Sequence, residues 1–266
     1  MLKRLLLLTI LPVLAIFALA SPIKSDEAAK SLAFADDASA IPSASEYIQD
    51  GLIAMWDGVE NAGWGHSDSS TRMVDLVSDV ATIPFPAGRD GNWFLNTSWR
   101  NYKLTDLNLS VESITIEVVF KKPVSLEVTM RYNPITVIAS SEGQSVMWQN
   151  TDGLARMYVA IRDLRYASSL YLDWADLESG IGTAWTYDVG ESLKANGYVN
   201  GMLVKQSNAV SLSGRKVSDL RLNADSTQVS YAPCYVGCIR LYDRALSPDE
   251  IAYNHDLDRL RFNLPE

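Results

Sequence analysis

The stretch of sequence that decides the fold is CIRLYDRALSPDEI, residues Cys238–Ile251. Its first half alternates with the two-residue period of a half-buried strand, so Ile239 and Leu241 point to one face and the residues between them to the other. We therefore expect a strand that ends near Tyr242 and leads into a helix.

The second half of the stretch carries the start signals of that helix. Ser247 stands at the N-cap position, Pro248 at the first helical position, and Glu250 three residues after the cap. The Ser247 hydroxyl and the Glu250 carboxylate can each accept a hydrogen bond from the other's backbone amide. The helix is expected to continue to about Leu260, with Leu257 and Leu260 among the apolar residues on its packed face.

Three segments resemble a known family. IRLYDRAL followed by SPDEI resembles the C-terminal signature of the laminin G-like, concanavalin A-like jelly-roll domains of secreted bacterial proteins. YVNGMLV (Tyr198–Val204) resembles their hairpin, and GLIAMWDG (Gly51–Gly58) resembles their first strand. The resemblance implies an all-β fold, a two-sheet antiparallel jelly-roll sandwich with a short C-terminal helix, whose first and last strands pair. It leaves the function open, because this sandwich hosts lectins, adhesion modules and glycosidases alike.

The middle of the chain has the pattern of many short strands. Ser113–Lys121 alternates most clearly, with Ile116 among its inward residues and Glu117 and Thr115 among its outward ones. Asn200-Gly201 predicts a two-residue hairpin turn, and a second hairpin is expected near Ser213-Gly214. Further strands are expected at Pro134–Ser140, Gln144–Gln149, Ala155–Ile161, Ser169–Asp173 and Thr183–Asp188.

The N-terminal region predicts export. In residues 1–20, two basic residues precede an apolar run, Leu5–Leu19, and a small-x-small pattern ends at residue 20. This is typical of a cleaved secretory signal peptide, because the run is shorter than the roughly 20 residues of a spanning helix. Residues 21–46 have the composition of a disordered leader, and residues 47–266 are expected to form one domain. We expect a secreted or otherwise extracytoplasmic protein with no membrane span after signal cleavage.

The charge of the chain excludes some partners. Lys and Arg number 23 against 32 Asp and Glu, and loss of residues 1–20 removes two of the positive charges. An acidic chain without a basic cluster is not expected to bind nucleic acid or an anionic membrane.

The two cysteines are expected to remain unbridged. Cys234 and Cys238 would lie roughly 13 Å apart in an extended strand, whereas bridged Cα atoms lie within about 7 Å. Pro233 and Gly237 could bend the chain, but the strand pattern favours two free thiols. A tetrahedral metal site is not expected, because no histidine lies beside the two sulfurs.

Catalysis has little support in the sequence. Laminarinase-like relatives carry E-x-D-x-x-E on one strand, and the nearest run here contains Asp173, Asp176 and Glu178 with different spacing. The only histidines, His66 and His255, have no G-x-S-x-G nucleophile motif near them. The sequence therefore supports a binding domain better than a divergent glycosidase.

Binding is the better supported function. Aromatic rings can stack on the apolar faces of sugars while polar side chains hold the hydroxyls. Trp64, Trp174 and Trp185 lie beside polar residues and are the candidate platforms, with His66 and Asp68 as polar neighbours of the first. The expected partner is a glycan or an extracellular protein, and the alternative function is a structural or adhesive protein-interaction module.

Calcium is the one cofactor that the sequence suggests. Asp57, Asp68 and Asp75 are close enough in sequence to supply oxygen ligands, although no loop of EF-hand spacing is present. Three solvated aspartates are the simpler interpretation, so the sequence leaves a metal site unassigned.

Overall fold

The computed structural model describes residues 41–61, 71–77, 82–85, 88–96, 109–110, 113–121, 135–139, 144–151, 154–161, 164–173, 179–188, 194–208, 216–222 and 234–266. They belong to one compact unit, Ile41–Glu266. The predicted signal peptide and all of the leader before Ile41 lie outside the described residues. No helix within the described ranges is long and apolar enough to cross a membrane.

The described residues begin with a 3₁₀ turn at Ala44–Glu46, continue with strands, and end with a single α-helix. The strands are β1 Leu52–Asp57, β2 Arg72–Val74, β3 Thr82–Pro84, β4 Arg89–Asp90, β5 Trp93–Asn96, β6 Leu109–Ser110, β7 Ile114–Lys121, β8 Ile135–Ala139, β9 Gln144–Thr151, β10 Leu154–Ile161, β11 Leu164–Asp173, β12 Ile181–Asp188, β13 Lys194–Val199, β14 Met202–Asn208, β15 Lys216–Leu222 and β16 Cys234–Tyr242. The helix, α1, spans Pro248–Phe262.

These strands form antiparallel sheets. The larger sheet has the order β14-β13-β12-β7-β16-β5-β4, with β1 also paired to β16. A second sheet has the order β11-β10-β9-β8-β15-β6, and β2 pairs with β3. The prediction of a mostly β, antiparallel fold with a C-terminal helix is confirmed.

The first and last strands pair, as the sequence predicts. Trp56 of β1 lies opposite Ile239 of β16. Beyond the end of β1, the Gly58 amide donates to the Gly237 carbonyl oxygen at 2.8 Å. The pairing places the predicted first strand directly beside the signature strand.

One predicted hairpin is confirmed and the other is wrong. Asn200 and Gly201 take φ values of 48° and 74° between β13 and β14, the left-handed conformation that a type I′ turn requires. Ser213-Gly214 lies outside the described residues, but the flanking strands β14 and β15 belong to different sheets. The chain therefore crosses from one sheet to the other in this region.

The start of α1 has the predicted capping box. The Ser247 Oγ accepts from the Glu250 amide at 3.3 Å, and the Glu250 carboxylate accepts from the Ser247 amide at 2.8 Å. Leu257 is buried, but Leu260 is 56% exposed, so the prediction that Leu260 packs inward is wrong. The helix buries polar residues instead, because the sheet beneath it carries buried charges.

Both faces of β7 are covered. Ile116 is buried as predicted, but Thr115 and Glu117, predicted to point outward, are also buried. The Glu117 carboxylate accepts a hydrogen bond from Asn254 of α1 at 2.8 Å. The prediction that these residues face solvent is therefore wrong, since the polar face of β7 lies under α1.

Candidate functional site

The structure describes one of the five predicted ligand-binding residues. Trp64, His66, Asp68 and Trp174 lie outside the described residues. Trp185 lies in β12 with 1% of its surface exposed. It cannot serve as a stacking platform, because its position in the sheet directs the ring into the core.

Two of the three candidate calcium ligands are engaged within the fold, and Asp68 is not described. Asp57 Oδ1 accepts from Arg261 Nη2 at 2.7 Å, and Asp75 Oδ1 accepts from the Met55 amide at 3.0 Å. Burial raises the pKa of Asp57, and the Arg261 charge opposes that shift. In the described part of the chain, no three acidic, histidine or cysteine side chains cluster as metal ligands.

A buried set of charges joins the sheet to α1; we call Glu117, Arg240, Asn254 and Asp258 the helix–sheet network. Arg240 of β16 donates through Nε to Glu117 at 2.7 Å, and through Nη1 and Nη2 to the two oxygens of Asp258, each at 2.7 Å. Its guanidinium carbon lies 4.0 Å from the centre of the Tyr47 ring. A bidentate pair of this kind fixes both position and orientation.

The amide of Asn254 completes this network. Its nitrogen lies 2.8 Å from Glu117 Oε2 and 3.0 Å from the Tyr242 hydroxyl, and its oxygen accepts from the Ile48 amide at 3.0 Å. Burial raises the pKa of Glu117 against the opposing effect of Arg240. One side chain of α1 therefore binds two strands and the segment before β1.

The segment before β1 is held by a second buried ion pair; we call residues 42–47 the N-terminal strap. Arg261 of α1 pairs with Asp57 and also donates to the Pro42 carbonyl oxygen. The Glu60 carboxylate accepts from the Ala44 amide. The Arg261–Asp57 pair is fully buried and Glu60 is only partly exposed, so these groups hold the strap to the fold and do not form a surface site.

An open pocket of about 370 Å³ lies on the larger sheet, beside the turn that precedes α1; we call it the strand–turn pocket. Three polar residues from neighbouring strands line it, Thr186 of β12, Asn196 of β13 and Gln206 of β14. They lie opposite one another in register. Gln206 Nε2 donates to Asn196 Oδ1 at 2.9 Å, and Asn196 Nδ2 donates to Thr186 Oγ1 at 3.2 Å.

The turn from Arg244 to Pro248 supplies further lining. It is fixed to β7 by Thr115, whose hydroxyl donates to the Arg244 carbonyl oxygen and accepts from the Leu246 amide, both at 2.8 Å. The capping box then fixes the start of α1. The pocket is therefore bounded by backbone that two separate hydrogen-bonded motifs hold in place.

The pocket also has an apolar lining. Tyr198, which is buried, and Leu203, which is half exposed, both contribute to it. Burial raises the pKa of Tyr198, so its hydroxyl stays protonated at neutral pH. Apolar surface with a few fixed polar groups is the usual make-up of a small-molecule site, and this volume lies near the lower end of the range for such sites.

Among the described residues that line this pocket, Glu250 is the only carboxylate, and it is unsuited to acid catalysis. Glu250 accepts from Arg244 Nη1 at 2.9 Å and from Nη2 at 2.6 Å. This hydrogen bonding lowers the pKa of Glu250 to about 2. Since glycoside hydrolysis needs a protonated acid and a second carboxylate, the described lining fits ligand binding better than hydrolysis. Asp176 and Glu178 of the alternative acidic run lie outside the described residues.

The polar ladder of the pocket was not predictable from a sequence motif. Thr186, Asn196 and Gln206 are ordinary polar residues within strands, and no motif connects them. The Asn200-Gly201 turn alone would set Asn196 opposite Lys205, but a β-bulge at Val204 shifts the register by one residue and brings Asn196 opposite Gln206.

Comparisons with known proteins show the fold alone. No family model and no curated protein matches the chain. The binding domain of botulinum neurotoxin serotype D matches with a TM-score of 0.54 and 14% identity, over 80% of this chain and 52% of the neurotoxin chain. A complex of the serotype D ligand-binding domain with N-acetylneuraminic acid matches with a TM-score of 0.53 and 12% identity, over 79% and 51%.

A sialidase from Trypanosoma rangeli, in complex with a difluoro derivative of a keto-deoxy-nononic acid, also matches. Its TM-score is 0.57 at 14% identity, and the match covers 83% of this chain and 34% of the sialidase. The chain therefore spans about half or a third of the length of these proteins. The class that the fold defines is a β-rich domain similar to parts of neurotoxin binding domains and sialidases.

Proposed function

We propose that this chain is an extracytoplasmic, non-catalytic carbohydrate-binding domain of the jelly-roll type. The predicted signal peptide supports the location, and the family resemblance supports a two-sheet sandwich that closes between β1 and β16. The structural neighbours that were crystallised with saccharide ligands support a sugar as the ligand class.

The strand–turn pocket is the observation that carries the proposal. Its amide and hydroxyl groups can exchange hydrogen bonds with sugar hydroxyls, and the half-exposed Leu203 adds apolar surface for the C–H groups of a ring. The ladder of cross-strand hydrogen bonds holds Asn196 in one orientation, which reduces the entropy that a ligand must remove. A preformed polar pocket on a rigid sheet suits recognition of a compact, hydroxyl-rich ligand.

A glycan array followed by calorimetry tests the proposal. Purified residues 41–266 should bind at least one glycan, and Gln206→Ala should weaken that binding at least about tenfold, the loss expected for a polar group that pairs with buried ligand atoms. Lys205→Ala, next to it on the same strand, is the matched control and should bind normally. Titrations with and without calcium test the metal, for which Asp68 remains a proposed ligand.

The same array tests the proposed binding residues that the structure does not describe. If Trp64→Ala or Trp174→Ala abolishes binding while Gln206→Ala does not, the ligand site lies at those tryptophans, and His66 and Asp68 are then the next residues to substitute. Binding to no glycan by the intact domain would overturn the carbohydrate proposal.

A protein-interaction module is the second candidate, and β14 favours it. β14 ends the larger sheet in the strand order, and its residues Met202, Leu203 and Val204 are 67%, 50% and 42% exposed. An exposed apolar end strand can pair with a strand of another protein. Self-association in sedimentation, removed by Val204→Lys and insensitive to Gln206→Ala, would favour this function over glycan binding.

A further inference from the structure

The charges around the strand–turn pocket bear on the class of sugar that it accepts. Among the described lining residues, Arg244 is the only cation. Both nitrogens at the end of its guanidinium donate to Glu250, and its Nε lies 2.9 Å from Asp50 Oδ2. Two carboxylates therefore surround one guanidinium, and the only cation among the described lining residues is already fully engaged.

This arrangement opposes an acidic sugar. A sugar carboxylate is bound most strongly by an arginine that offers two parallel N–H groups, and those of Arg244 are already paired with Glu250. A ligand carboxylate that displaced Glu250 would leave two negative charges close together. Glu250 stays ionised at neutral pH, because its pKa is about 2.

The polar ladder suits uncharged hydroxyl groups. One N–H of Gln206 is used by Asn196, and its carbonyl oxygen and second N–H have no partner among the described residues. A carboxamide presents an acceptor and a donor side by side, which matches two adjacent hydroxyls of a sugar ring. Gln206 therefore recognises neutral groups without adding charge to the pocket.

We propose that the strand–turn pocket binds an uncharged sugar unit and discriminates against sialic and uronic acids. The inference rests on the proposed carbohydrate function and narrows it to a ligand class. The discrimination arises because Arg244 is already paired with Glu250 and the neighbouring polar ladder is uncharged.

Matched pairs of glycans, each with and without a terminal sialic acid or a uronate, test the discrimination by calorimetry on residues 41–266. The neutral member should bind at least about tenfold more tightly, as expected when an interface places like charges together. Equal or tighter binding of the acidic member overturns this inference and leaves the proposed function standing. Binding of neither member overturns both.

Two charge-removing variants locate the origin of the discrimination. Glu250→Gln preserves a capping residue at N3 but frees the Arg244 guanidinium. The ratio of the affinity for the neutral glycan to that for the acidic glycan should therefore fall. Asp249→Asn makes the same charge change at an exposed neighbour and should leave the preference unchanged. An equal response of the two variants would show that general charge, and not the Arg244–Glu250 pair, sets the selectivity. Thermal unfolding confirms that each variant is folded.

Discussion

Arg240 of β16 and Asp258 of α1 form a fully buried bidentate ion pair, with both N···O distances at 2.7 Å. Truncation of Asp258 leaves Arg240 paired only with Glu117 and removes the acceptor of its Nη1 and Nη2 groups and of the Tyr47 hydroxyl; loss of one partner in a buried ionic network of this kind costs about 3–5 kcal/mol. We expect Asp258→Ala to lower the free energy of unfolding by that amount in urea titrations. Asp256→Ala, on the exposed side of the same helix, should change it by less than about 0.5 kcal/mol. A small effect at Asp258 would contradict the assigned role of the helix–sheet network.

The N-terminal strap predicts where the domain begins. Removal of residues 41–46 deletes the carbonyl of Pro42 that accepts from Arg261 and the amide of Ala44 that donates to Glu60. Because the buried Arg261 guanidinium loses an acceptor, residues 47–266 should be less stable than residues 41–266 by about 1–3 kcal/mol. The two fragments can be compared by urea unfolding. Equal stability would show that the domain begins at Tyr47, as the sequence alone suggests.

The turn between β13 and β14 should tolerate no side chain at Gly201. Its φ is 74°, and a Cβ there would lie 3.2 Å from His255 Cβ and 3.3 Å from Ala252 Cα. We expect Gly201→Ala to destabilise the domain by about 1–3 kcal/mol, from backbone strain and helix displacement together. Gly91→Ala, also at positive φ but with open space around it, isolates the backbone part and should cost less. Equal losses would exclude a contribution from packing against α1.

The Arg244–Glu250 pair predicts a pH dependence of stability. The folded-state pKa of Glu250 is about 2, below the ordinary value of 4.5, so its contribution is present above about pH 4.5 and is lost as the pH falls toward 2. Glu250→Gln should therefore be less stable than the native protein at pH 6, and the difference should shrink at pH 3. Parallel chemical denaturation at the two pH values measures it. A difference that is constant with pH would mean that ionisation of Glu250 does not contribute.

The two thiols should be unreactive in the folded protein. Cys234 and Cys238 are buried and form no disulfide with each other, and burial raises the pKa of the Cys238 thiol well above its usual value. A thiolate is the reactive form, so Ellman's reagent should titrate neither thiol until guanidine unfolds the chain. Rapid reaction in native buffer would show that β16 opens locally.

The fold was predictable where a short sequence signal has one structural solution. The Asn200-Gly201 turn and the Ser247–Glu250 capping box each require particular backbone angles or atoms nearby, and both occur as predicted. The hairpin expected at Ser213-Gly214 failed because turn residues do not reveal which sheet the next strand joins. Pairing between strands distant in the chain is a tertiary choice that local sequence does not encode.

The candidate site was less predictable for a related reason. Thr115 and Glu117 alternate as surface residues would, but α1 covers them. Trp185 has polar neighbours in sequence and an apolar environment in space. The polar ladder depends on cross-strand register between Asn196 and Gln206. The burial and pairing of each of these residues depend on the elements that pack against it. A short segment of sequence does not specify those tertiary contacts.

The contact between the strap and α1 also constrains the order of events during synthesis. The Tyr47 hydroxyl donates to Asp258 at 2.7 Å, across 211 positions of the chain. Contacts between residues so far apart in the chain raise the contact order, and a high contact order slows folding. During synthesis, β1 and the strap therefore lack their contacts with α1 until that helix has been made. A nascent chain halted before Asp258 should remain sensitive to protease.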